Sequence, residues 1–103
     1  MTKIFKFPIE PKETVQTMFL PQGAEIVALK IQMVPEVRTG GKFKSTNVHE
    51  GLFFWAIVDP AASAVPRRLM CVGTGWEIQP DIKEHIDTVI SKGGYVWHLL
   101  EIK

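Results

Sequence analysis

Residues 81–94, "DIKEHIDTVISKGG", admit two readings, and the choice between them decides whether the chain is all-β. Asp81 and Glu84 stand at capping-box spacing, apolar residues fall at 82, 86, 89 and 90, and Gly93 would stop a helix. The same stretch carries the β-branched residues Ile86, Thr88, Val89 and Ile90 into Gly93-Gly94 and on to "YVWHLLEI", which suits a hairpin. Taken locally, the pattern leans to a short helix over 81–90.

Everything around that stretch punctuates like a β-protein, with short runs of Val, Ile, Phe and Trp between Pro and Gly. "KIFKFPI" alternates, placing Phe5, Phe7 and Ile9 on one face and Ile4 and Lys6 on the other; Pro8 marks an edge strand or its end. "TVQTMFL" leads into the turn "LPQGA". In "AEIVALKIQM" the residues Val27, Leu29, Ile31 and Met33 share one face, and Ile26, Ala28, Lys30 and Gln32 the other. Residues 34–51 read as a long loop centred on Gly40-Gly41, of the length that tends to carry function. "LFFWAIVDP" is apolar on both faces, "DPAASAVP" is a connection, and "RRLMCV" is a further strand. The fold expected is a small antiparallel sandwich or open barrel of about six to seven strands, with a short helix near 81–90 as the open alternative.

At 103 residues the chain makes one β domain over 1–103. Twelve basic and eleven acidic side chains leave a formal charge of +1, so no global field points to nucleic acid or an anionic membrane. Cys71, the single cysteine, excludes an intrachain disulfide and a cysteine-based zinc site, and reads as a small buried hydrophobe. No stretch approaches the roughly 20 apolar residues of a membrane helix, and "MTKIFKFPIE" lacks a signal-peptide core, so a cytoplasmic protein is expected.

Gly73-Thr74-Gly75, followed by Trp76, is the most suggestive site. It lacks the spacing of a P-loop or a dinucleotide fingerprint, so a turn needing positive φ comes first. As a site, its glycines would let backbone amides approach an anion beside the Thr74 hydroxyl and a Trp76 wall. Arg67 and Arg68 lie just upstream; arginine's planar fork suits phosphate, though neighbours on a strand point to opposite faces. Trp55 and Trp97 read as core and Trp76 as exposed, fit for base stacking or an interface. His49, His85 and His98 have no metal-ligand spacing, and His98 reads as a hydrogen-bonded histidine on a mostly apolar face. No metal site, cofactor or catalytic constellation is expected. Strands 52–58 and 95–102 carry bulky apolar groups on both faces, more than one small domain covers easily, so a homo-oligomer is expected.

"IFKFPIE", "LPQGAEIVALKIQ", "WAIVDP", "GTGWEI" and "GGYVWHLLE", in this order, resemble a family of small phage- and prophage-encoded proteins of unassigned function. The resemblance covers most of the chain, which departs from it by a longer loop at about 34–51. It implies that residues 85–91 are a strand paired with 95–102 through Gly93-Gly94, that the origin is viral, and that the protein acts by binding. The leading expectation is an oligomer that sequesters a small anionic, nucleotide-derived host signal as a counter-defence, using Arg67, Arg68, Gly73, Thr74, Gly75 and Trp76. The alternatives are an inhibitor that binds a host protein, through the 34–51 loop, and a virion or assembly component.

Overall fold

Ile82–Ile90 is a strand, and the helix alternative over 81–90 falls with it. The computed structural model describes residues 1–37 and 46–103, and among them the chain forms seven strands and no helix. These are β1 (Lys3–Pro8), β2 (Gln16–Pro21), β3 (Glu25–Val37), β4 (Thr46–Val58), β5 (Ala64–Gly73), β6 (Ile82–Ile90) and β7 (Val96–Ile102). A helix over 81–90 would offer one apolar stripe. As a strand with two bulges, the same residues serve both faces: Ile86 and Val89 pack on the main core, and Ile82 on a cluster behind it. The presumed cap is used otherwise, since the Asp81 carbonyl accepts the Lys103 N–H at 2.9 Å. Gly94, at φ +86°, closes the β6–β7 turn, where the Ser91 N–H donates to the Tyr95 carbonyl.

Two antiparallel sheets result, β1-β4-β3 and β2-β5-β7-β6, and they form a sandwich and not a closed barrel. Pro8 ends β1 on the edge of the smaller sheet, where a missing N–H costs least. Between the sheets lie Leu20, Leu29, Phe54, Ala56, Leu69, Cys71 and Leu99, all fully buried. Burial also pushes the Cys71 thiol up to about 11.

Strict alternation in β3 fails at one point. A bulge between Ile26 and Ala28 turns Val27 out to solvent and brings Ile26 into the core with Leu29, while Met33 stays exposed. The loop expected over 34–51 is largely strand: β3 runs to Val37 and β4 begins at Thr46, paired in register. Gly40-Gly41, Lys42 and Lys44 lie outside the described residues.

The two strands expected to need outside cover differ. The rear face of β7 (Leu100, Ile102) is buried within the chain, against Met70, Val72, Val15 and Ile82. The rear face of β4 (Phe53, Trp55, Ile57) is only partly covered, and Trp55, expected in the core, lies there half-buried.

Candidate functional site

The Gly-Thr-Gly stretch is a turn and a wall at once. β5 ends at Gly73, the Trp76 N–H donates back to the Gly73 carbonyl at 3.2 Å, and Gly75 takes φ +89°. Each glycine has its own reason. Gly75 supplies the left-handed backbone. At Gly73 a Cβ would stand 2.9 Å from the Trp76 Nε1, so the indole lies against bare backbone. Trp76 meets Trp97 edge-on, with ring centroids 5.6 Å apart, yet stays 37% exposed. One face is thus fixed and part of the ring is left for a ligand.

From this turn a chain of hydrogen bonds crosses the rear face of the larger sheet. Thr74 Oγ1 lies 2.8 Å from His98 Nε2, His98 Nδ1 lies 2.8 Å from Thr88 Oγ1, and Thr88 Oγ1 lies 2.8 Å from His85 Nε2. Strand register makes it: Thr88 and His98 are cross-strand partners in β6 and β7, and His85 faces Leu100 after a bulge. The Thr88 hydroxyl has one proton for two imidazoles, so it donates to one and accepts from the other. With both rings neutral, that single choice sets every bond along the chain. In one sense Thr74 keeps its own O–H free to donate outward; in the other it offers lone pairs. The end of the chain therefore presents a donor or an acceptor as a ligand requires.

A hydroxyl against an imidazole nitrogen is also the pair from which activated nucleophiles are built. Here the second nitrogen meets a hydroxyl, and among the described residues no carboxylate joins the chain.

Thr74, His85 and His98 open onto a hollow of about 280 Å³. Val72 and Leu100 line its apolar side, with Trp76 and Ile78. The site thus combines an aromatic surface, aliphatic contacts and an adaptable polar end, as small-molecule sites commonly do.

Four of the six expected residues meet here, and two do not. Arg67 points into the sandwich, giving two hydrogen bonds to the Glu101 carboxylate, one of them Nη2 to Oε1 at 2.9 Å, and a third to the Ala24 carbonyl at 2.8 Å. That bonding holds the Arg67 guanidinium above its ordinary range and the Glu101 carboxyl below its own. Arg68 lies on the rear face and donates to the Lys103 carbonyl. At about 3.3 Å per residue, both stand roughly 17–20 Å from Gly73. Adjacency in sequence misled because a strand separates in space what a helix or loop would gather.

The reading from sequence missed His85 and Thr88 and gave His98 only a structural part. Their signal was the hairpin: once Gly93-Gly94 is the turn, counting back from it sets Thr88 opposite His98. Among the described residues no group of three or more metal-ligating side chains is present.

Comparison with known proteins gives one match: a family model described as a domain of unknown function (DUF7352) covers residues 1–103. No curated protein and no solved structure matches the chain.

Proposed function

We propose the following for this chain, which belongs to the DUF7352 family: it is a non-enzymatic binding protein whose ligand sits in the hollow beside Trp76. The observation that carries this reading is the hydrogen-bonded chain from His85 to Thr74, ending next to a fixed and partly exposed indole. The ligand that fits is small and flat, with hydrogen-bonding groups at one end, and a nucleotide-derived molecule has that form. Its base would stack on Trp76, and its polar end would meet Thr74 and the Gly75 backbone. With Arg67 committed to Glu101, imidazole and hydroxyl take the part first expected of the arginines. A phage origin, assembly as a homo-oligomer and a counter-defence role in the host cytoplasm complete the proposal; the resemblance to phage proteins supports them.

Native mass spectrometry against a panel of cyclic and ADP-ribose-type nucleotides tests it. One nucleotide should be retained in integral stoichiometry. Trp76→Ala should weaken it about tenfold or more, given the worth of a base–aromatic stack. His98→Asn should weaken it too, while Arg68→Ala should leave it unchanged. Retention of no nucleotide by the intact protein, or loss with Arg68→Ala alone, would refute the site.

The rear face of the smaller sheet favours a second reading, binding to a host protein. Ile4 is 65% and Ile57 37% exposed beside Trp55. A stoichiometric host partner in a pull-down, lost on Ile57→Lys, would select it.

A further inference from the structure

We infer that a second hollow, at the end of the sandwich between the β1–β2 crossing and the β6–β7 turn, binds an organic cation. It measures about 460 Å³, larger than the hollow beside Trp76, and both sheets line it. Its walls carry two aromatic rings, Tyr95 and Trp97, and two carboxylates, Glu10 and Glu50. His49 is its remaining titratable side chain, and among the described residues no lysine or arginine lines it.

The rings are arranged, not merely present. Tyr95 stacks on Trp97 at 6.2 Å with 21° between planes, so the pair makes one extended aromatic surface. Aromatic faces are electronegative and hold ammonium groups that have shed their water.

The carboxylates complete the selection. One Glu50 oxygen accepts the Lys92 N–H at 3.1 Å, which fixes the side chain at the rim. Glu10 is exposed, and its contact with Lys12 at 3.6 Å is the sort of surface pair that costs little to exchange. An anion would meet two like charges here, and a neutral ligand would leave both unanswered. A quaternary or alkylated ammonium on a small apolar body satisfies rings and carboxylates together.

The test compares choline with 3,3-dimethylbutanol, its neutral carbon isostere, by two-dimensional NMR of the labelled full chain. Choline at millimolar concentration should shift the Trp97 indole and the amides of Glu50 and Ser91. It should bind about tenfold more tightly than the isostere, the increment expected of a cation held by rings and carboxylates. Glu50→Gln keeps an acceptor for Lys92, and Glu10→Gln alters an exposed side chain, so at least one should fold. Either should weaken choline several-fold and leave the isostere unchanged. Equal binding of the two probes, no shifts with choline, or indifference to both variants would overturn the proposal. His98→Asn should leave choline binding intact, so this site and the Trp76 site fail separately.

Discussion

Arg67 and Glu101 show what burial does to residue chemistry that looks available in the sequence. Glu101 is 5% exposed on the inner side of β7, in a sheet interior that carboxylates avoid unless paired. Arg67, on the neighbouring strand, supplies that pair, so a side chain that reads as a ligand for phosphate is held by the fold itself. A carboxyl with a lowered folded-state pKa contributes stability that is present above its unfolded value, near 4 for glutamate, and lost as pH falls through the folded value. The raised pKa of Arg67 acts far above this range, so acid reports on Glu101. Thermal melting should therefore show stability falling on acidification below about pH 4, and Glu101→Gln should flatten that part of the profile. At neutral pH the same substitution should cost about 2–4 kcal/mol, because it leaves a partly buried guanidinium without its partner. A wild-type and variant profile of the same acid slope would show that the pair does not govern acid stability.

At the scale of elements, the β6–β7 hairpin sets both the fold and the site, and its legibility was uneven for a physical reason. Alternation, Pro and Gly marked where the other strands lie but not how far they run, since β3 continues through Pro35 and β4 through Gly51, where a loop was expected. In β6 the bulges after Ile82 and His85 break the period of two, which leaves apolar spacings that mimic a helix. The Gly-Thr-Gly turn and an exposed Trp76 were legible from local backbone demands. The Thr88–His98–Thr74 chain was not, since it exists only once the register is fixed. The same hairpin also joins the sheets: Asp87 Oδ2 accepts the Leu29 N–H at 2.8 Å, satisfying an amide on the outer edge of β3. Asp87→Ala should cost about 1–2 kcal/mol, the penalty for a partly buried donor left unpaired. Hydrogen exchange should localise the change, with the Leu29 amide losing protection ahead of Phe54 in the neighbouring strand. If Leu29 keeps its protection in the variant, the contact does not hold the sheets together.

Across the whole molecule apolar side chains stay exposed behind both sheets, and it is their grouping around Trp55 that suits a second copy. Behind the larger sheet, Met70, Val72, Leu100 and Ile102 are each at most 6% exposed, while Phe19 and Ile90 on its outer strands are 67% and 70% exposed and stand apart from one another. Behind the smaller sheet, Ile4, Val27 and Ile57 are 65%, 43% and 37% exposed around the half-buried Trp55. Lys6 lies over Phe53 and donates to Gln32 at 2.9 Å, so its charge borders the patch without entering its centre. An apolar centre with a polar border is the composition of an interface. The homo-oligomer proposed above would therefore use this face, and Ile57→Lys would place a charge at its middle. Sedimentation velocity over a range of concentrations should show wild-type protein associating and Ile57→Lys remaining monomeric, with unchanged melting at low concentration. The variant should still retain a nucleotide at Trp76, because that hollow lies on the opposite sheet. Association that survives Ile57→Lys would move the interface elsewhere, and a wild-type monomer at all concentrations would leave this face to a different partner.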